Sequence, residues 1–272
     1  MPRRLSVLIA LFMLLAGGVA PTVPIAAAGD SVALPVRPFF PAPPIPSGGS
    51  ISLSFTFDVT LSSDASTPLQ LLGYEDGSGA AIPLGPPSTV TNGSHNGTGG
   101  IAVSGSYTAR SGLRWLSVKA VLGAPEQPLA SLGLRPYVVM DELGKGTNVR
   151  VYATPGVASG LSRSYAEGYD AAWQQIGAVF DSFNDKIYTI YLASERDGYE
   201  QGLIGLFNVP SDQAAALNNQ TGGLNSARLN AMIVYVGTST QASRLTTGHE
   251  YAENRFAALS SNNQGSGWFW DG

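Results

Sequence analysis

Hydrophobic and polar residues alternate along the first half of the chain, most clearly from Ile51 to Val59. The apolar positions are Ile51, Leu53, Phe55, Phe57 and Val59, with Ser, Ser, Thr and Asp between them. A period of two places alternate side chains on one face, so the pattern predicts a half-buried β-strand. Shorter apolar runs predict further strands at 69–72, 101–103, 114–122 and 134–140. Short strands separated by Gly- and Asn-rich turns favour an immunoglobulin-like β-sandwich, which we expect over residues 51–142.

The second half of the chain changes to the period of a helix. Apolar residues spaced three and four apart predict a long helix from about Val157 to Phe183, with one face in a core. That face comprises Leu161, Tyr165, Tyr169, Ala172, Trp173, Ile176, Val179 and Phe180. Strands are predicted at 149–153, 186–192 and 232–236, and the Gly-, Asn- and Gln-rich segment 218–225 is interpreted as a loop.

The first 28 residues have the pattern of a secretory signal peptide. Arg3 and Arg4 precede an apolar run from Leu5 to Ala16 that is too short to span a bilayer, and small residues follow up to Ala28. We therefore expect an exported protein (secreted, cell-surface or periplasmic). The proline-rich residues 29–50 are interpreted as a linker, and we expect no membrane association beyond the signal segment.

Composition narrows the classes of function. The formal net charge is −4 and charged residues make up 12% of the 272, so no basic surface for nucleic acid is expected. Cysteine is absent, which excludes disulfides, thiol catalysis and thiolate metal sites. Together with an export signal, this points to a bacterial type of exported protein that does not depend on disulfides.

The candidate chemistry lies in the last thirty residues. Leu245, His249, Ala252, Phe256 and Leu259 follow a 4-3-4-3 spacing, which predicts a helix with His249 on its core-facing side. His249 and Glu253 are four residues apart and project from the same face, with Glu250 beside it. This is the layout of H-E-x-x-H, in which i and i+4 side chains hold zinc and the Glu acts as general base. Glu253 stands where the second histidine would be.

The segments HEYAENRF and WFWDG together resemble the gluzincin metallopeptidases, especially the bacterial secreted proteins of the peptidase MA-like type. In that family the H-E-x-x-H helix is followed by W-[LF]-x-E-G, whose Glu is the third zinc ligand. The resemblance implies that His249 is the first ligand and Glu250 the general base. It implies that Glu253 and Asp271 occupy the second and third ligand positions, where this sequence departs from the family's His and Glu.

The resemblance also implies a fold for residues 146–272. We expect a zincin-like α+β lobe, with a small mixed sheet over the active-site helix and an edge strand that pairs with a peptide substrate. Family members continue well past the W-x-x-E-G segment, so the lobe is expected to be incomplete at the C-terminus. The predicted fold class is α+β, an immunoglobulin-like β-sandwich followed by this lobe.

These observations predict an exported metallopeptidase-like protein that hydrolyses peptide bonds with Glu250 as general base and zinc as cofactor. One histidine and two carboxylates add negative charge and weaken the Lewis acidity of the metal. The alternative is therefore a catalytically inactive peptidase-like protein that acts as a binding or scaffolding module. A third interpretation is that the acidic residues bind Ca²⁺ without any catalytic role.

Overall fold

The structure is a computed structural model that describes residues 29–35, 42–77, 79–179, 186–237 and Ala252. The fold is α+β and mostly β-sheet. Strands of the N-terminal region (residues 29–140) are β1 Ser31–Ala33, β2 Ser50–Leu61, β3 Thr67–Glu75, β4 Ile82–Pro83, β5 Ser88–Val90, β6 Gly93–His95, β7 Ile101–Thr108, β8 Trp115–Ala124, β9 Gln127–Gly133 and β10 Tyr137–Val138. The C-terminal region (residues 141–237) has β11 Asp141–Lys145, β12 Val149–Ala153, α1 Ser159–Val179, β13 Tyr188–Ala193, α2 Arg196–Phe207, α3 Ser211–Gln220, β14 Gly223–Ser226 and β15 Ala231–Tyr235.

The N-terminal region is built from two antiparallel sheets that share a core. In one sheet β2 pairs with β1, β6 and β7; in the other the order is β10-β8-β3-β4, with β9 on β8 and β5 on β3. The alternation predicted from Ile51 to Val59 lies within β2, where Phe57 is fully buried. Side chains from β2, β3, β7 and β8 meet in one hydrophobic cluster between the sheets. The alternating pattern of β2 thus gives this strand one buried and one more exposed side, whereas β8 has four buried residues in a row.

The proline-rich segment 29–50 differs from the predicted linker wherever the structure describes it. Ser31–Ala33 form β1, which pairs antiparallel with β2, and Val32 enters the core. Ile45 is buried, bridges to Val139, and its N–H donates to the Val138 carbonyl. Apolar residues between the prolines supply this packing, which composition alone does not reveal.

The C-terminal region contains one five-stranded mixed sheet in the order β11-β12-β13-β15-β14. The three inner strands are parallel, and the two outer strands run antiparallel to their neighbours. Inner strands of this kind are buried on both faces, and β15 has four buried residues in a row. The strand predicted at 149–153 coincides with β12, while the two other predictions shift by one or two residues.

Helices cover both faces of this sheet. On one face α1 packs mainly over β11 and β12, and the predicted apolar side is confirmed for Leu161, Tyr165, Tyr169 and Ala172, which are buried. On the other face α2 packs on β13 and β15, with α3 against α2. The interpretation of 218–225 as a loop is wrong: this segment contains the end of α3 and the first three residues of β14. In the ranges described above, no helix is long and apolar enough to cross a membrane.

The two regions are joined by a continuous apolar contact. Val138 and Met140, at the end of the N-terminal region, share a buried cluster with Leu203 of α2 and Ile233 of β15. Arg114, directly before β8, adds an ion pair with Glu195, directly before α2. These contacts place α2 against both regions at once.

Candidate functional site

The four residues singled out by the sequence lie outside the described residues. They are His249, Glu250, Glu253 and Asp271. Within the motif, the structure describes Ala252, which has helical backbone and is half-buried. Elsewhere in the described ranges, no group of three or more His, Cys, Asp and Glu side chains could hold a metal ion. The chain's other histidine, His95 at the end of β6, has its Nε2 2.9 Å from the carbonyl oxygen of Thr91, just before that strand.

The strand ends that precede the motif in the sequence lie side by side. The carboxyl ends of β12, β13 and β15 meet at one edge of the sheet, where crevices of α/β proteins bind ligands. Thr154 and Ser194 follow β12 and β13, and their hydroxyl oxygens are 3.1 Å apart. The Arg196 guanidinium lies 4.2 Å from the centroid of the Tyr235 ring, at the end of β15. These contacts fix the strand ends just before the chain continues towards His249.

At the lateral edge of the sheet, β14 pairs antiparallel with β15. Its four residues are all half-buried, and Asn225 accepts a hydrogen bond of 2.7 Å from the Tyr188 hydroxyl. Among the described strands, none pairs with the other side of β14. An edge of this kind presents backbone N–H and C=O groups to an added strand.

The face of the sheet that carries α1 is apolar as far as β15. Met232 and Val234 of β15 point to this face, and their side chains are 0% and 5% exposed. They share one buried cluster with Tyr165 and Tyr169 of α1, although α1 packs mainly over β11 and β12. The helix side chains therefore extend the covered face beyond the strands that α1 lies on.

One polar group was missed by the sequence analysis. Arg135 lines a cleft between the N-terminal region and α2, and its Nε and Nη1 atoms are buried without a hydrogen-bond partner. Nothing in the local sequence marks Arg135, because its burial depends on α2, more than sixty residues away along the chain. An isolated arginine near the start of a predicted strand is ordinarily a surface residue.

Comparisons with known proteins give the following. No family model and no curated protein matches the sequence. Among solved structures, yeast LTA4 hydrolase is 11% identical, with 84% of this chain and 44% of that chain covered and a TM-score of 0.31. A β-glucuronidase from glycoside hydrolase family 2 is 9% identical over 61% of this chain and 22% of that chain, with a TM-score of 0.27. A Bacteroides uniformis β-glucuronidase is 10% identical over 67% and 26%, with a TM-score of 0.25. The chain thus spans less than half the length of each of these proteins.

Proposed function

We propose that the chain is an exported metallopeptidase-like protein whose active centre forms where β15 leads into the His249–Glu253 segment. The observation that carries this proposal is the order β13-β15-β14, with an antiparallel edge strand beside the strand that enters the motif. That order agrees with the zincin-like lobe expected for residues 146–272. The two antiparallel sheets of the N-terminal region are, in the same proposal, an immunoglobulin-like β-sandwich.

The apolar α1 face of β15 supports the position of the motif. Met232 and Val234 are buried on this face, in one cluster with residues of α1. The helix predicted from Leu245 to Leu259 has an apolar side that would pack on the same face, and that side includes His249. In this proposed arrangement His249 would lie under the sheet, close to β14. A peptide that pairs with β14 would then run past the metal ligands, which is the geometry that peptide hydrolysis needs.

The residues of the motif have distinct roles in the proposed reaction. Glu250 accepts a proton from the attacking water and returns it to the leaving amine, as a general base and then a general acid. His249, Glu253 and Asp271 would hold a zinc ion, and the bound ion would supply the Lewis acid for the reaction. The edge of β14 holds the substrate backbone in register through main-chain hydrogen bonds.

The proposed ligands are of the chemical types that bind zinc, but their combined negative charge is less suitable for a catalytic zinc ion. An imidazole and two carboxylates are all zinc ligands, and three protein ligands leave a position open for water. Two anionic ligands lower the Lewis acidity, and Asp271 is one methylene shorter than the Glu of the family pattern. We therefore expect Glu253→His to bind zinc more tightly than the natural chain.

The test is the metal content of the purified protein, measured by mass spectrometry. We expect about one zinc ion per chain, lost in His249→Ala and retained in His95→Ala, because only the first histidine is a proposed ligand. Glu250→Gln should keep the metal and lower peptidase activity by about 10²- to 10⁴-fold, as expected for loss of a general base. Absence of zinc from the natural chain at micromolar zinc would overturn the metallopeptidase proposal.

A second candidate function follows from Glu253. If the negative ligand set keeps a metal but no peptide is cleaved, the protein is an inactive peptidase-like module that binds or scaffolds a partner. The same series of variants separates the two functions. If the natural chain binds metal but shows no peptidase activity for Glu250→Gln to reduce, the inactive binding module is supported. Calcium in place of zinc would support the third interpretation, a structural ion held by carboxylates.

A further inference from the structure

A cleft of about 660 Å³ lies between the two regions of the molecule. One side is formed by the N-terminal region, including Phe55 and the segment from Leu132 to Tyr137, and the other by α2 and the start of α3, including Gln201 and Ile204. Volumes of 300–1,000 Å³ are typical of sites for small organic molecules, and such sites occur preferentially between domains. Its described lining residues include no residue of the proposed metal centre and none of β14.

The cleft contains one charged residue among the described residues that line it, Arg135. Its guanidinium carbon lies 5.9 Å from the Tyr137 ring centroid, and its interaction with the Tyr137 hydroxyl partly offsets the rise in the Tyr137 pKa that burial causes. The Nε and Nη1 atoms of Arg135 are shielded from solvent and have no hydrogen-bond partner. Arginine stays protonated in proteins, so its buried N–H groups carry a desolvation cost that an acceptor would remove. The side chain as a whole is half-buried beside the cleft.

The remaining walls complete the recognition pattern. Leu34, Phe55, Leu132, Leu134 and Ile204 give the cleft an apolar body, and no acidic residue among the lining residues described competes for the guanidinium. Ser117, Gln201 and Asn208 add neutral polar groups. A positive fork at one point of an apolar cleft is complementary to a molecule with a carboxylate at one end and hydrocarbon elsewhere.

We propose that this cleft binds a small amphiphilic carboxylate, with Arg135 holding the carboxylate and the apolar walls holding the chain. The site is a binding site and needs no metal. It is thus independent of the proposed peptidase activity, and His249→Ala should leave it intact. Arg135 acts here as a specificity-determining residue that distinguishes an anion from a neutral molecule of the same shape.

Decanoate is the probe, titrated into the full chain by isothermal calorimetry, with 1-decanol as the uncharged comparison. We expect one decanoate per chain and at least about tenfold weaker binding of decanoate to Arg135→Met, because a charge-assisted pair is lost. Arg163→Gln removes an exposed arginine on α1 and should bind decanoate like the natural chain. Ser117→Leu adds bulk to the wall while keeping Arg135, and should weaken decanoate and decanol alike.

A melting curve separates this role from a structural one. An arginine with buried and unpaired N–H groups gives the unliganded protein little stability, so Arg135→Met should melt at the same or a higher temperature. Saturating decanoate should raise the melting temperature of the natural chain but not of Arg135→Met. The proposal is overturned if the natural chain does not bind decanoate, if Arg135→Met binds it equally well, or if decanol binds as tightly as decanoate.

Discussion

The two regions of this protein bury their sheets in different ways. In the N-terminal region β2 has one covered face, so it alternates between buried residues such as Phe57 and exposed ones such as Ser54. In the C-terminal region helices cover both faces, and β15 is buried at every position except Tyr235. A strand with one covered face is seen in the sequence as alternating apolar and polar residues, whereas a strand with two covered faces is seen as a short continuous apolar run. The two regions also differ in proposed chemistry, because the residues of the proposed metal centre come after the C-terminal sheet in the sequence.

The largest effect on stability is expected when a large buried side chain in each core is replaced by alanine. Leu122→Ala and Ile190→Ala each remove a fully buried side chain, one per region, and should each lower the free energy of unfolding by about 2–5 kcal/mol. Because Met140 and Leu203 share one cluster across the junction, we expect a single transition in chemical denaturation that both substitutions shift. Two separate transitions, each moved by only one substitution, would mean that the regions unfold independently.

A smaller effect is expected at a turn that belongs to the C-terminal region alone. The Asp170 carboxylate on α1 accepts hydrogen bonds from the backbone N–H groups of Thr147 (2.7 Å) and Asn148 (3.0 Å), between β11 and β12. Asp170→Ala leaves both donors without this partner and should cost about 1–3 kcal/mol, measured by urea unfolding. Glu167→Ala, an exposed position on the same helix, should change stability by less than about 0.5 kcal/mol. Equal effects at the two positions would refute a tie between α1 and this turn.

The N-terminal region carries a pH-sensitive contact of its own. The pKa of Glu75 is held below its ordinary value of 4.5, first by the hydrogen bond from the Tyr107 hydroxyl and then by Arg110. A carboxyl with a lowered folded pKa stabilises the fold above its ordinary pKa, and that contribution is lost as the pH falls through the folded value. Tyr107→Phe should therefore lower stability at pH 7 and have a smaller effect at about pH 3, measured by urea unfolding at both. A cost that does not change with pH would indicate lost packing instead.

The smallest effect is expected at the ion pair that joins the regions. Arg114 contacts Glu195, whose side chain is 58% exposed, and solvent screens such a pair. Glu195→Gln should lower stability by less than about 1 kcal/mol, and by less still at high salt, where exposed charges are screened further. A loss of several kcal/mol would instead make the ion pair a main tie between the regions, ahead of the apolar cluster around Met140.

The sequence patterns predicted the elements whose packing is visible locally. Strand β12 and the buried side of α1 were predicted because their apolar periods are regular, as with Tyr165 and Tyr169. Helix α2 was missed since Gly198, Gly202 and Gly205 lower its helix propensity. The reason for two of these glycines is tertiary.

A side chain at Gly202 would collide with Ile233 of β15, and one at Gly205 would lie 2.6 Å from the Pro136 carbonyl oxygen. The helix thus uses glycine to approach both regions closely, and no local pattern contains that information. The same holds for Arg135, whose surroundings come from segments far apart in the sequence. The motif from His249 to Glu253 remains a prediction from residue spacing.

The length of β14 has a consequence for how the protein behaves in concentrated solution. A strand of four residues offers few unpaired backbone groups, and Gly223, Asn225 and Ser226 are poor strand formers. Two copies that joined their sheets along this edge would form few hydrogen bonds to offset the freedom of motion that they lose. The short edge therefore discourages fibril-like stacking of the sheet, while it remains long enough to hold a few residues of a passing peptide.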